Sequence, residues 1–265
     1  MKNLLIYISS DKKFDEETDL LVKIQIDNSL DLGWKREDIM LVTNFPYEYN
    51  GISAIVVPDE LYCTFYRYIS KINVIVYLFE QGKIDKDEIY WFHDFDAYEN
   101  NKIDENEIRE EIKSVDAGFA KYGTTAGRLN CGSFFFKDSA GDIFRWMKEI
   151  VYSNSKKWEG IPVNPGDFKT EYRRYSEEIA LEELTFRNAY DSKSRIKQID
   201  YTYNFGMRNV RSNYYFALKP IRVLHFHPHN PLINTLDIAM YGNNRIHQPL
   251  MTDRLIKIFN DHGIK

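Results

Sequence analysis

Asp94 and Asp96 stand one residue apart at the end of Ile89-Tyr90-Trp91-Phe92-His93, an apolar and aromatic run that stops where the acids begin. In an extended chain residues i and i+2 point to the same side, so continued extension predicts two carboxylates facing together. Like charges that close repel each other unless a cation or a proton lies between them. Hard divalent cations such as Mg²⁺ and Mn²⁺ take oxygen ligands and commonly share their shell with substrate phosphates. The pattern therefore points to a metal site facing a diphosphate. The structural alternative, a helix cap or a turn, is weakened by the strand-like run that precedes the pair.

Other acidic chemistries fit the letters less well. A calcium loop of the EF-hand type fits at Asp94, Asp96 and Glu105, but its sixth position calls for glycine and holds Glu99. A haloacid dehalogenase phosphatase carries its Asp-x-Asp on the first strand, followed by Gly-Thr or Thr. Here the pair lies on about the fourth strand, followed by Ala97-Tyr98. A glycosidase pair needs a wider carboxylate separation than adjacent same-face positions give.

Six histidines occur, and His225, His227 and His229 fall within one short stretch. His225 and His227 share a face if that stretch is a strand, so either is a candidate third ligand; spacing alone does not choose among the three.

The elements that must position these groups read as follows. Leu4–Ile8 is a continuous apolar run, the pattern of a strand buried on both faces, and Ser9-Ser10-Asp11 makes the loop at its carboxyl end, where open α/β sheets bind ligands. A helix is predicted over Glu16–Leu32 with Gly33 as terminator, then strands at Ile39–Val42 and Ser53–Val57. A long helix is predicted over Leu61–Gln81 before the strand that ends in the acids. Beyond it come a polar helix at Ile103–Lys113, a strand at Ala117–Tyr122, and Leu129-Asn130-Cys131-Gly132 as a turn feeding an apolar strand through Phe136. Amphipathic spacing predicts a helix over Asp142–Tyr152, and Ser176 caps a helix running to Asn188 with Glu177 and Glu178 in its first turn. A late strand over Arg222–Phe226 and a helix over Thr252–Phe259 close the chain. The order of strands and helices predicts an α/β fold with a mostly parallel sheet. The loop around Pro162 and Pro165 divides residues 1–159, the α/β core with the acidic motif, from 160–265, a small C-terminal lobe integrated with it.

The 265 residues, 43% of them hydrophobic, suffice for one large core. A net charge of −5 argues against a protein that coats nucleic acid. Cys63 and Cys131 have no metal-type spacing and read as buried thiols. Neither a signal segment nor a membrane span is legible, so a soluble, cytoplasmic chain without membrane attachment is expected. Between Arg187 and Arg222 basic residues (Arg187, Lys193, Arg195, Lys197, Arg208, Arg211, Lys219 and Arg222) interleave with aromatics. That mixture suits a sugar acceptor, a polyanion such as DNA, or an aromatic core with solvated charges.

In order along the chain, the first strand and loop, the Asp-x-Asp at a mid-domain strand end, Asn130-Cys131-Gly132-Ser133-Phe134-Phe135, the acidic helix start and Val223-Leu224-His225-Phe226 resemble the GT-A-fold glycosyltransferases, nearest the glycogenin and galactosyltransferase-like group. That group usually follows its late histidine with Gly-Pro and Lys-Pro. This chain has His227-Pro228-His229-Asn230-Pro231 and no lysine. The resemblance implies a GT-A-like, Rossmann-like fold and a nucleotide-sugar donor, a UDP-sugar, with Mn²⁺ or Mg²⁺ on its diphosphate. It implies Asp94, Asp96 and His225 as metal ligands and Tyr7, Ile8 and Ser9 as the nucleotide edge. Phe95 lies between the acids at the donor. Asn130 and Gly132 would line the sugar pocket, and Glu177 or Glu178 would stand near the reacting centre. The acceptor is a glycan or, as in some viruses of bacteria, a DNA base. A nucleotidyl- or phosphoryl-transferring enzyme on the same metal–diphosphate site is the alternative, with Lys71 and Arg128 as the cations it needs. A non-catalytic sugar-nucleotide-binding protein is the third reading.

Overall fold

The computed structural model describes residues 1–121, 129–159, 161, 170, 174–206, 220–226 and 250–264. Its first element is β1 (Lys2–Tyr7), followed by α1 (Glu16–Asp31), β2 (Ile39–Thr43), the short strands β3 (Glu48–Tyr49), β4 (Ile52–Ser53) and β5 (Ile55–Val56), then α2 (Ser70–Glu80) and β6 (Ile89–His93). After these come β7 (Ala97–Glu99), α3 (Glu105–Glu111), β8 (Ala117–Lys121), β9 (Leu129–Lys137), α4 (Gly141–Lys157) and α5 (Glu177–Thr185). The last are β10 (Ile196–Ile199), β11 (Phe205–Gly206), β12 (Val223–His225) and α6 (Asp253–Asp261). Among the described residues no helix is long and apolar enough to cross a membrane.

The main sheet has seven strands in the order β10-β8-β9-β6-β1-β2-β5. All neighbours are parallel except β9, which runs antiparallel to both β6 and β8. The expected α/β architecture with a mostly parallel sheet is thus present. Both faces of the sheet are covered, which is why β1, β6 and β9 are apolar without alternation. Tyr90, Phe92, Phe134 and Phe136 pack on one face with Ile72, Ile75 and Phe144 of α2 and α4. Ile89, Trp91 and Phe135 face the other side with Ile108 of α3, and Leu5 and Leu41 meet Val22 and Ile26 of α1.

A second, three-stranded sheet, β11-β12-β7, carries the chain's late strand back to the middle of the sequence. β12 pairs antiparallel with β7 so that His225 lies opposite Ala97. Its other face packs Leu224, Phe226 and Tyr98 against Leu255 and Phe259 of α6 and Ile24 of α1.

Four local expectations change. The helix predicted over Leu61–Gln81 is only Ser70–Glu80, because Tyr66 is extended (φ −157°, ψ 94°) and Ser70 Oγ accepts the Cys63 N–H at 2.9 Å, folding the preceding segment back on the helix start. Ser53–Val57 is split. Asn50 and Gly51, at φ 52° and 76°, turn a small β3–β4 hairpin, and only Ile55–Val56 joins the main sheet. Two adjacent positive φ values are what a tight hairpin turn requires. Leu129–Gly132 is part of β9 rather than a turn before it, since its residues are buried on both faces. The acidic pair is not in extended chain. The Ala97 N–H donates to the Asp94 carbonyl at 3.0 Å, so Asp94 to Ala97 form a turn between β6 and β7.

Candidate metal centre and donor site

The site is built at the carboxyl end of β6. The β6–β9 ladder runs through Phe92↔Phe134 and His93↔Ser133, and the Asp94 N–H extends it to the Gly132 carbonyl at 2.8 Å. Asp94 is therefore fixed beside Asn130 and Gly132. The following turn re-aims Asp96 toward β12, where the Phe226 N–H donates to the Asp96 carbonyl at 2.9 Å. Gln25 of α1 clamps the turn from below, its Nε2 donating to the carbonyls of Phe95 and Ala97, each at 2.9 Å.

These constraints bring Asp94, Asp96 and His225 together with candidate ligand atoms all within 4.8 Å of one another. Opposite donors in an octahedral shell with metal–oxygen distances of about 2.1 Å stand roughly 4.2 Å apart. At least two of the three pairs must be neighbours in such a shell, roughly 3.0 Å apart, so the groups draw together to hold one ion. His225 Nε2 lies 3.2 Å from Asp96 Oδ1. Two carboxylates and one imidazole are a donor set that could hold a divalent cation. His227 and His229 lie outside the described residues, as does Arg128.

Burial shapes the charge of these groups. It pushes the Asp94 carboxyl above its ordinary range, Asp96 adds to the rise, and Lys71 opposes it. About a third of the Asp94 side chain (34%) still reaches solvent. Burial also lowers His225 to about 4, against the pull of Asp94. Lys71 is buried, yet Asp94 and Glu177 outweigh desolvation and hold its ammonium above the usual lysine range. Its Nζ stands 3.1 Å from Asp94 Oδ1, 3.2 Å from Glu177 Oε1 and 3.0 Å from the Cys131 carbonyl. Lys71 is thus the counter-charge that Asp94 and Glu177 share.

The two glutamates diverge. Ser176 caps α5 by accepting the Glu178 N–H at 3.1 Å. Glu177 turns to Lys71, and its buried Oε2 has no hydrogen-bond partner among the described residues. Glu178 Oε1 accepts from Asn130 Nδ2 at 2.5 Å. Beyond their place in the first turn of α5, one glutamate therefore contacts Lys71 and the other Asn130.

At the carboxyl end of β1, Tyr7 is half-buried in a cluster with Phe14, Phe45 and Phe95. Phe95 thereby joins the acidic turn to the end of the first strand. Ile8 is buried, and Ser9 is held by Asn44, whose Oδ1 accepts the Ser9 N–H at 3.0 Å while Nδ2 donates to the Ser9 carbonyl at 2.8 Å. His93 is buried in full. It stacks on Trp91 with ring centroids 4.0 Å apart, and its Nδ1 lies 2.9 Å from the Ala97 carbonyl. It buttresses the acidic turn from the opposite face to the ligands.

Sequence reasoning missed Gln25, Asn44 and Asn204. Each is a carboxamide among apolar neighbours, and a buried carboxamide must find partners. That is the signal the sequence carries, though it names no partner. Among the basic residues between Arg187 and Arg222 that are described, Arg187, Arg195, Lys197 and Arg222 pair with Glu183, Asp116, Glu111 and Glu107. Tyr203 and Phe205 are buried in the core. Lys193 is exposed, so the described part of that stretch offers core, ion pairs and a single exposed lysine rather than a continuous basic surface.

No protein-family model and no curated protein matches the sequence. The fold does have solved counterparts, and they are GT-A-type glycosyltransferases. The glycosyltransferase involved in glycosylation of the major capsid of PBCV-1 matches with a TM-score of 0.52 at 13% identity, over 90% of this chain and 98% of its own. The galactosyltransferase LgtC, solved in complex with donor and acceptor sugar analogues, matches at 0.54 and 12% identity, over 97% of this chain and 100% of its own. GlyE of Streptococcus pneumoniae TIGR4 matches at 0.53 and 10% identity, over all of this chain and 64% of GlyE. At such identities the likeness is one of fold.

Proposed function

We propose that the protein is a metal-dependent glycosyltransferase that moves a sugar from a nucleotide-sugar, a UDP-sugar, to an acceptor hydroxyl. The observation that carries this reading is the convergence of Asp94, Asp96 and His225, from two separate sheets, at the carboxyl edge of the parallel strands β1 and β6. Ligands of open α/β sheets sit at that edge. The shared GT-A fold supports it, as does the LgtC complex, which holds donor and acceptor sugar analogues in a protein of the same fold.

In this reading Asp94, Asp96 and His225 would hold Mn²⁺ or Mg²⁺. A bound divalent cation stabilises the charge that a diphosphate gathers as it leaves the sugar, without any proton transfer. Tyr7, Ile8 and Ser9, with Phe95 beside them, form the nucleotide edge; Asn44 keeps that backbone in place. Asn130 and Gly132 line the sugar pocket. Lys71 holds Asp94 and Glu177 apart from each other's charge, and Glu177 and Glu178 supply the acids nearest the reacting sugar. The acceptor in this reading is a glycan hydroxyl, since four of the five described basic residues between Arg187 and Arg222 are engaged by acids and only Lys193 stands exposed without an ion pair to an acid among the described residues. No membrane attachment is part of the proposal, and the cytoplasm is its expected compartment.

Calorimetric titration with UDP, with and without Mn²⁺, tests the site. Binding should require the metal, and metal-independent or absent binding would reject the proposal. Hydrolysis assays over a panel of UDP-sugars then name the donor.

A further inference from the structure

His225 is an imidazole with two chemically distinct nitrogens, and only one can face a cation. Which one does so is set by a chain of hydrogen bonds whose direction can be read from its one unambiguous donor. The Gly132 backbone N–H donates to Asn130 at 2.7 Å, so the accepting atom is Oδ1 and the amide nitrogen lies on the other side. There Asn130 Nδ2 meets Glu178 Oε1 at 2.5 Å, a carboxylate oxygen that accepts, in agreement with the first bond. Asn204 approaches the same Asn130 Oδ1 at 2.5 Å and must therefore do so with Nδ2. Its remaining atom, Oδ1, lies 2.7 Å from His225 Nδ1. A carboxamide oxygen only accepts, so His225 carries a proton on Nδ1. Nε2 also faces an acceptor, Asp96 Oδ1, but at 3.2 Å against 2.7 Å for Nδ1, so the single proton of the neutral ring belongs to the shorter bond and Nε2 is the nitrogen turned to the cation site.

Each link is closed to solvent: Asn130 is 4% exposed, Asn204 3% and His225 2%. Water therefore cannot replace Asn204 as the acceptor without rearrangement. The ring is also held from its edge, because no atom can be added at Gly132 Cα without striking it. We infer that Asn204, oriented by Asn130, is a positioning residue that keeps the proton of His225 on Nδ1 and presents Nε2 to the cation site. The second part rests on the metal reading of the site; the first does not. Groups that fix a ligand histidine in this way typically alter metal affinity roughly 10–100-fold when removed.

The test is made on protein labelled with ¹⁵N-histidine, by long-range proton–nitrogen correlation at pH 8 without metal. The His225 ring is identified by its loss in His225→Gln. The expected wild-type spectrum shows Nδ1 protonated and Nε2 bare; the opposite tautomer, or a mixture, overturns the inference. Asn204→Asp keeps an acceptor for Nδ1–H and should keep this tautomer. Asn204→Leu removes the acceptor, should mix the tautomers, and should weaken Mn²⁺ binding in the presence of UDP by roughly 10–100-fold, read from the resonance of free Mn²⁺. An unchanged tautomer and unchanged Mn²⁺ affinity in Asn204→Leu also overturn it. Should that variant not fold, the wild-type and Asn204→Asp spectra decide. A wild-type protein that shows the expected tautomer but binds no UDP–Mn²⁺ rejects the glycosyltransferase reading while leaving the tautomer assignment in place.

Discussion

A β carbon on residue 132 would sit 2.0 Å from Cε1 of His225 and 2.7 Å from its Nδ1. Real carbon atoms do not approach so closely, and the ring cannot move aside without breaking its bond to Asn204. The glycine is there for close packing of β9 against the histidine, with no special backbone angle involved. Gly132→Ala should displace the imidazole and weaken Mn²⁺-dependent UDP binding at least tenfold. Overpacking of this kind also costs about 1–3 kcal/mol of stability. Calorimetry and urea unfolding read the two effects, and unaltered metal-dependent binding would contradict the ring's placement.

Asp96 raises the pKa of Asp94 through like-charge repulsion. Asp96→Asn should therefore leave the metal-free melting temperature unchanged or raise it. The same substitution should abolish the stabilisation that Mn²⁺ with UDP gives the wild type, about 2.7 kcal/mol at a hundredfold excess over Kd. Turnover should fall with it. A variant that melts later with metal, as the wild type does, would place the cation elsewhere.

Lys71 is the counter-charge of two acids, at 3.1 Å from Asp94 and 3.2 Å from Glu177. Lys71→Met leaves Glu177 buried and uncompensated. Breaking a buried pair from one side costs about 3–5 kcal/mol, and the partial exposure of Asp94 puts this case at the lower end. Adding Glu177→Gln should recover part of the loss, which urea unfolding of the two single variants and the double variant measures as a coupling. Simple additivity would mean the ion pair contributes nothing.

Glu99 is buried, with its carboxylate accepting from Trp34 Nε1 at 2.7 Å and the Ile103 N–H at 2.8 Å. Burial outweighs these bonds and raises its pKa to about 7 from an ordinary value of 4.5. Between those values the folded state binds more protons than the unfolded chain, so this group's contribution to stability falls as pH rises. It is fully present below about pH 4.5 and lost above about pH 7. Glu99→Gln cannot titrate. The melting temperature of the wild type relative to this variant should be higher at pH 5 than at pH 8. The reverse order would mean that hydrogen bonding, rather than burial, dominates the carboxyl.

Much of the frame was legible because periodicity is a local property. Leu4–Ile8, Ile39–Val42 and Ile89–Phe92 are continuous apolar runs, and strands covered on both faces must be. Helix ends were legible for the same reason. Gly33 at φ 89° terminates α1, and Ser176 and Thr252 cap α5 and α6 through their own hydroxyls. The helix over Leu61–Gln81 was misread because an aromatic, apolar segment has the same composition whether it forms a helix or packs as loop. Only the contacts of Phe65 and Tyr66 with Tyr152 and Tyr175 distinguish the two.

For the site, the sequence by itself determined which chemistry was at hand: two acids after a buried strand, a late histidine, and an asparagine–glycine pair. It did not determine how they meet. Extension was the expected reason for Asp94 and Asp96 to face together, whereas a turn closed by the Ala97 N–H turns Asp96 toward β12. The distant partners, Asn204 to His225, Gln25 to the acidic turn and Lys71 to Glu177, join elements far apart in the chain. A side chain's residue type fixes what it can donate, accept or carry as charge. Which group receives it depends on strand order and on the antiparallel turn of β9 and β12, and those exist only once the sheets have formed.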